Sequence, residues 1–355
     1  MRAINFCAGP CTLPLAVLEE AQAEFVDFAG SGMSLVEMSH RSSQYDHVHN
    51  EALGLVRSLF GVPDDFEILF LQGGASLQFS MVPLNLLRAG DLAGYVVSGS
   101  WGKKALEDAT HHGAAYAAWN GQDDGFTRMP APAEVEVRPG SRYLHVTSNE
   151  TIHGIRMAEW PETGVPLVGD MSSDYLSRSI PWELFDVVYG GAQKNLGPAG
   201  LAIVFVRRSV LESTNRNLGG YLRWDIHADK NSLYNTPPVF AIYMMGKTLK
   251  WIEGRGGLPA MEAAATQRAG LIYRTINESD GYYRSPVDAA ARSHMNVVFR
   301  LPDEEAEARF VSTAAGQGML NLKGHRSVGG IRASLYNAMP MSGVEELASF
   351  MGSFR

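Results

Sequence analysis

"FDVVYGGAQKNLGPAGLAIVFV", residues 185–206, sets one lysine, Lys194, in a loop of glycine, proline and amide side chains between two apolar runs. Both runs are short, rich in β-branched residues and bounded by glycine, so each predicts a strand covered on two faces. The loop therefore belongs at strand ends, and Gly190, Gly191, Gly197 and Gly200 let other groups come close to its backbone. A lysine taken at random is a solvated surface charge. Holding Lys194 in place requires partners from elsewhere in the chain.

Working outward, the chain alternates helical and strand patterns from about residue 45. Tyr45, Val48, Ala52, Leu55, Val56 and Leu59 recur at helical spacing; "EILFL" reads as a strand, "SLQFSMVPLNLL" as a helix kinked at Pro83, "AGYVV" as a strand and "WGKKALEDATHH" as a helix. "YLHVT", "VPLVG", "DVVY" and "LAIVFV" follow as strands with short connections. This alternation predicts an α/β fold built on a mainly parallel, doubly wound sheet, in which ligands bind beyond the carboxyl ends of the strands. The texture changes at Gly254–Pro259, and "MNVVFRL", "DEEAEARFVSTAAG", "IRASLY" and a last helix read as a smaller α+β unit. The expected division is a large domain over 16–257 and a small C-terminal domain over 258–355, joined by the N-terminal segment 1–15.

The 355 residues are 45% hydrophobic and 19% charged, with a formal net charge of -8 and no block of lysine and arginine. Neither nucleic acid nor an anionic membrane is an expected partner, so any anion site must be local. "MRAINFCAGP" has no apolar signal region and no stretch reaches the length of a membrane span, which predicts a cytoplasmic protein. Cys7 and Cys11 are too few for a disulfide framework and read as inert. "WGKK" and "MGKTLK" fail as phosphate loops, because Val97 and Ala241 stand where the first glycine must be. His47 and His49, two apart on a predicted helix, are expected to lie off its apolar stripe and not to converge on a metal.

The residues just past each strand form a set. "EILFLQGGAS" ends in a glycine turn opening a helix, so amides around Ala75 and Ser76 can face an anion. The next strands present Trp101, Thr151, Asp170, and the pair Gln193 and Lys194. Singly, each has an ordinary role: packing for Trp101, a turn for Thr151, a helix cap for Asp170, a loop hydrogen bond for Gln193. Together they meet the needs of pyridoxal phosphate (PLP): an amine for a Schiff base, a carboxylate for the pyridine nitrogen, a hydroxyl, a stacking ring and amides for the phosphate.

The chain resembles the phosphoserine aminotransferases, class V, fold type I PLP enzymes, through "NFCAGPCTLP", "EMSHRS", "QGGASLQF", "VPLNLL", "SNETIHG", "GAQKNLGPAGL", "NTPPVFAIY" and "KGHRSVGGIRASLYNAMP". The resemblance spans nearly the whole chain. It implies that Lys194 carries the cofactor, that Asp170 pairs with the pyridinium, that Trp101 stacks on the ring and that Thr151 bonds near it. It further puts the phosphate on Ala75, Ser76 and Gln193, with Asn235 and Thr236 reaching over from the other subunit of a homodimer. Substrate groups implied are His40, Arg41 and Arg332, with His325 and Arg326 from the partner subunit. Two positions depart from the family pattern: Ala8 stands where some members have serine, which removes a side-chain contact to substrate, and Ser76 stands where other members carry arginine, so the phosphate leans more on amides and a hydroxyl.

The activity implied is transfer of the amino group between glutamate and 3-phosphohydroxypyruvate in serine synthesis, with a related four-carbon phospho-substrate of pyridoxine synthesis as a second substrate. The atoms explain how one pocket serves both amino acids. In glutamate the side-chain carboxylate, and in phosphoserine the phosphate, stands at the same distance from Cα. Arg41, Arg326, His40 and His325 suit that distal anion, and Arg332 suits the shared α-carboxylate through a bidentate fork. Another class V enzyme acting on alanine or serine with glyoxylate would not need the extra arginines. A non-catalytic PLP-binding regulator would carry a DNA-binding segment or a degraded site.

Overall fold

The computed structural model describes residues 2–354. Seven strands form the central sheet: β1 (Phe66–Gln72), β2 (Leu92–Val97), β3 (Ala114–Asn120), β4 (Ser141–Thr147), β5 (Leu167–Asp170), β6 (Val187–Gly191) and β7 (Leu201–Arg207). Their spatial order is β1-β7-β6-β5-β4-β2-β3. All neighbours are parallel except β7, which is antiparallel to both β6 and β1, with Ala202 opposite Gly191 and Leu201 opposite Gln72. The connection 192–200 is shorter than the roughly 10–12 residues a parallel crossover needs, so the chain turns back at the edge where it emerged. Lys194 thereby sits on the same edge as the carboxyl ends of β1, β2, β4, β5 and β6.

Both faces of the sheet are covered, as the apolar runs predict. Along β7, Leu201, Ile203 and Phe205 enter one apolar cluster and Val204 and Val206 the other, the alternation a pleated strand imposes. The first cluster includes residues of α2 (Ser43–Phe60), and the second residues of α3 (Gly74–Leu86) and α4 (Ser100–Ala109); α1 (Leu15–Glu24) packs outside, on α5 (Val239–Glu253). Phe205, fully buried, meets the rings of Phe60, Tyr175 and Trp182. Deleting such a ring costs about 3–5 kcal/mol.

A third cluster joins the second half of α6 (Gly257–Asn277) to α7 (Glu304–Gly316), α8 (Met341–Ser353) and the antiparallel strands β8 (Asn296–Phe299) and β9 (Ile331–Ser334). Phe6 belongs to it, and Ile4–Asn5 pair in parallel with Met319–Leu320. Met261, near the start of α6, packs in the large core instead. We propose the domain division near residue 257 on this change of partners along one helix.

One expectation is corrected. His49 does not lie off the apolar stripe of α2: it is fully buried, edge-on to Phe70, with its Nε2 2.9 Å from the Asn231 carbonyl. A backbone acceptor 182 residues away satisfies the ring, a partner invisible to helical periodicity.

Candidate active site

The hairpin between β6 and β7 packs Lys194 down until 8% of it is exposed, and its Nζ donates to Thr151 Oγ1 at 2.7 Å. No carboxylate forms an ion pair with it among the described residues. Burial pushes the amine below the usual lysine range, against the opposing pull of Asp170 and Glu150. The Trp101 ring lies 5.6 Å from Nζ, centroid to atom, presented from the first turn of α4.

Asp170 ends β5 and is 5% exposed. Its Oδ1 accepts from the Ser172 amide at 2.9 Å and the Ser172 hydroxyl at 2.5 Å, the turn-capping role open to any aspartate there. Burial raises its pKa while Lys194 and the Ser172 donors pull it down. Burial thus drives the amine and the carboxyl each toward its neutral form, and their mutual attraction, the Ser172 donors on Asp170 and the charge of Glu150 near Lys194 resist it.

At the end of β1 the chain passes through Gly73 (φ 87°) and Gly74 (φ 61°) into α3. A Cβ at Gly73 would stand 2.7 Å from Leu77 Cβ, so both backbone sign and space require glycine. The first amides of α3, from Gly74 to Ser76, have no carbonyl one turn earlier to bond to, which suits them to an anion. Gln193 Oε1 and Trp101 Nε1 are buried polar atoms without a hydrogen-bond partner among the described residues. Burial without a partner costs free energy, so both atoms suit a site completed by a ligand.

Arg332, on β9, donates from Nη1 to the Thr151 carbonyl at 3.4 Å, on the residue whose hydroxyl holds Lys194. It has no carboxylate partner among the described residues, and burial lowers its pKa. His325 is held by Ser327 Oγ at 2.7 Å; burial lowers its pKa, and Arg332, Arg326 and Lys104 add to that. Arg326 and Arg41 are exposed, and with His40 their side chains make no hydrogen bond or ion pair among the described residues. Asn235 and Thr236 lie against the end of β1: Gln72 Nε2 donates to the Thr236 carbonyl at 2.9 Å and Asn235 Nδ2 to Gln72 Oε1 at 3.5 Å. One chain therefore gathers Lys194, Thr151, Trp101, Asp170 and Arg332, and leaves Arg41 and Arg326 without a partner of their own.

Sequence reading passed over Glu150. It is fully buried, accepts from the amides of Trp101 at 3.0 Å and Gly102 at 2.7 Å, and burial lifts its pKa to about 7. The signal available was its place beside Thr151 at a strand end. Burial pushes the Cys11 thiol up to about 12, and its Sγ donates to the Lys194 carbonyl.

Residues 3–347 match the family model described as aminotransferase class-V. Curated relatives named phosphoserine aminotransferase include those of Lysinibacillus sphaericus, 49% identical, and Niallia circulans, 50% identical, each aligned over 100% of this chain and 98% of the relative. The solved phosphoserine aminotransferase of Bacillus circulans subsp. alkalophilus has a TM-score of 0.97 at 50% identity, covering 99% of this chain and 98% of that one. A PLP-bound phosphoserine aminotransferase from Trichomonas vaginalis has a TM-score of 0.95 at 37% identity, covering 99% of this chain and 100% of that one.

The depressed amine generates a prediction. In cofactor-free protein, competitive acylation followed by peptide mapping should modify Lys194 with a midpoint pH below the usual lysine range. A Lys194 midpoint within or above that range would contradict the desolvated amine.

Proposed function

The chain belongs to the class V aminotransferases, and on that premise we propose that it transfers the amino group between glutamate and 3-phosphohydroxypyruvate, with PLP as cofactor and phosphoserine and 2-oxoglutarate as products. One observation carries the reading: a buried amine, Lys194 Nζ, hydrogen-bonded to Thr151 Oγ1, faces a tryptophan ring and feels a buried carboxyl, Asp170.

The residues fit PLP. Lys194 is the amine that attaches the cofactor, Asp170 the carboxyl for its ring nitrogen, Trp101 the ring wall, and Thr151 a hydroxyl beside the amine. The amides of Ala75 and Ser76, with Gln193, take the phosphate. When bound, PLP supplies an electron sink conjugated to the substrate's nitrogen. Asp170 would hold a proton at the ring nitrogen, and Trp101 would exclude water from one ring face. Lys194 Nζ, favoured as the neutral base by burial, would accept the proton from the substrate Cα.

Arg332 binds the α-carboxylate common to both amino acids, and His40, Arg41, His325 and Arg326 bind the distal carboxylate or phosphate. Their want of carboxylate partners among the described residues supports this role for the arginines. We assign the chain to a homodimer with shared sites, in which Asn235, Thr236, His325 and Arg326 serve the partner's cofactor and substrate. We place the enzyme in the cytoplasm; among the described residues no helix is long and apolar enough to cross a membrane. The four-carbon substrate 3-hydroxy-2-oxo-4-phosphooxybutanoate presents the same α-keto acid and distal phosphate, and we propose it as a second substrate.

A coupled assay with phosphoserine, glutamate and alanine tests the substrate reading. Arg332→Ala should weaken phosphoserine and glutamate alike, by ~2–5 kcal/mol in kcat/KM for a desolvated pair. Arg326→Ala should penalise phosphoserine more, because phosphate carries about −1.5 to −2 charges against one for a carboxylate. Equal losses from Arg326→Ala would remove it from the distal pocket.

The shared sites predict complementation. Lys194→Ala and Arg326→Ala homodimers should each be impaired. Their coexpressed mixture should recover about one quarter of wild-type activity, since random assortment gives heterodimers in half the population with one intact site each. Purified heterodimers without recovered phosphoserine activity would mean that Arg326 acts within its own chain.

A further inference from the structure

Glu150 is an anomaly in the site: a fully buried carboxyl with no ion-pair partner among the described residues. Its two oxygens are spent on two consecutive free amides at the start of α4, Oε2 on Trp101 and Oε1 on Gly102. The sequence makes room for this contact fifty residues earlier. A Cβ at Gly99 would lie 2.5 Å from Glu150 Cδ, and one at Gly102 would lie 2.8 Å from the Val96 carbonyl and 3.4 Å from Glu150 Oε1. Gly99 has φ −179°, extended backbone that any residue adopts, so the space taken by the carboxyl is the reason for glycine there.

The Glu150 backbone is itself fixed. Asn149–Glu150 pair with Ile155–Arg156, and Asn149 donates to Ser173 Oγ at 2.8 Å and Asn296 Oδ1 at 2.9 Å while accepting from Ser293 Oγ at 2.5 Å. The next residue, Thr151, receives Lys194 Nζ on its hydroxyl and Arg332 Nη1 on its carbonyl. His153, closing the same turn, stands 3.1 Å by Nε2 from Ser100 Oγ, so a second contact ties this turn to α4. A carboxylate capping a helix start would stabilise α4 anywhere on the surface. Here the capped residue is the tryptophan facing the buried amine, and the capping residue adjoins the threonine holding that amine.

We propose that Glu150 is a positioning residue of the active site: its two bonds to the Trp101 and Gly102 amides set Trp101 against Thr151 and Lys194, so that the wall facing the cofactor and the reacting amine are held in one register. The inference rests on the reading of Lys194 as the amine that attaches PLP. Glu150 touches no reacting atom and acts through Trp101 and Thr151. Its negative charge also favours the ammonium form of Lys194, in company with Asp170 and Asp174 and against Arg332.

The test uses the holoenzyme and its cofactor-free form at pH above 8, where Glu150 is ionised, with three variants. Glu150→Gln keeps the volume but offers the amides one acceptor in place of two and removes the charge. Glu150→Asp keeps the charge but is one methylene short of the amides. Gly99→Ala presses on the carboxyl without altering it. All three should reduce the visible circular dichroism per bound cofactor and lower kcat by about tenfold, with KM for glutamate changed less. In cofactor-free protein the pH midpoint for acylating Lys194 should fall in Glu150→Gln and stay near wild type in Glu150→Asp.

A merely structural Glu150 would lower the unfolding midpoint while leaving the circular dichroism per cofactor and the Lys194 midpoint untouched; that result overturns the proposal. Gly99→Ala, which leaves the buried carboxyl intact, decides the matter if Glu150→Gln does not fold: wild-type circular dichroism in that variant also overturns it. If wild type itself attaches no cofactor to Lys194 on borohydride reduction, the reading of the site fails and this inference with it.

Discussion

Everything at this site follows from burying one amine beside a hydroxyl and away from any directly bonded carboxylate. A lysine ammonium taken out of water without an ion-pair partner is costly, and the protein relieves the cost by favouring the neutral amine. Lys194 can be held that way because β7 runs against its neighbours, which returns the chain at the edge where the parallel strands end and presses the hairpin under Thr151. The neutral amine is the form that can attach a carbonyl cofactor and later take a proton. Fold and chemistry meet in the direction of a single strand.

The site divides into a dry half and a wet half. Lys194, Asp170, Thr151 and Glu150 are nearly sealed, each on or beside a strand end, and desolvation is the largest influence on the ionisation of the amine and the two carboxyls. Arg41 and Arg326 are exposed and, among the described residues, unpaired, while Arg332 stands between the two groups. That division suits the proposed reaction, which moves a proton within a closed pocket yet must admit two different anions from solution. On that proposal Arg332 reads the part the substrates share, and the exposed cations serve either a planar carboxylate or a tetrahedral phosphate.

Much of this was legible in the sequence because strand ends are local signals. Asp170 closes an apolar run and Trp101, Thr151 and Lys194 each follow one within a few residues, and the sheet gathers such ends without further instruction. What was not legible depends on contacts between distant segments. His49 looks like a polar residue off the stripe until Asn231 supplies an acceptor, and Glu150 looks like an ordinary loop carboxyl until Gly99 and Gly102 reveal the space reserved for it. The direction of β7 was open to inference from the short connection 192–200. The distal anion residues came from the family resemblance alone, since His40, Arg41 and Arg326 make no side-chain bond among the described residues that periodicity or spacing could have anticipated.

On the proposed function, the amine at Lys194 serves a two-stage exchange of an amino group between phosphoserine or glutamate and their keto acids. The visible absorbance of the PLP-loaded enzyme, followed with one substrate at a time, tests this. Phosphoserine alone, or glutamate alone, should abolish the yellow band, either 2-oxoglutarate or 3-phosphohydroxypyruvate should restore it, and alanine at the same concentration should leave it in place. A band indifferent to both amino donors, or bleached equally well by alanine, would rule out that exchange.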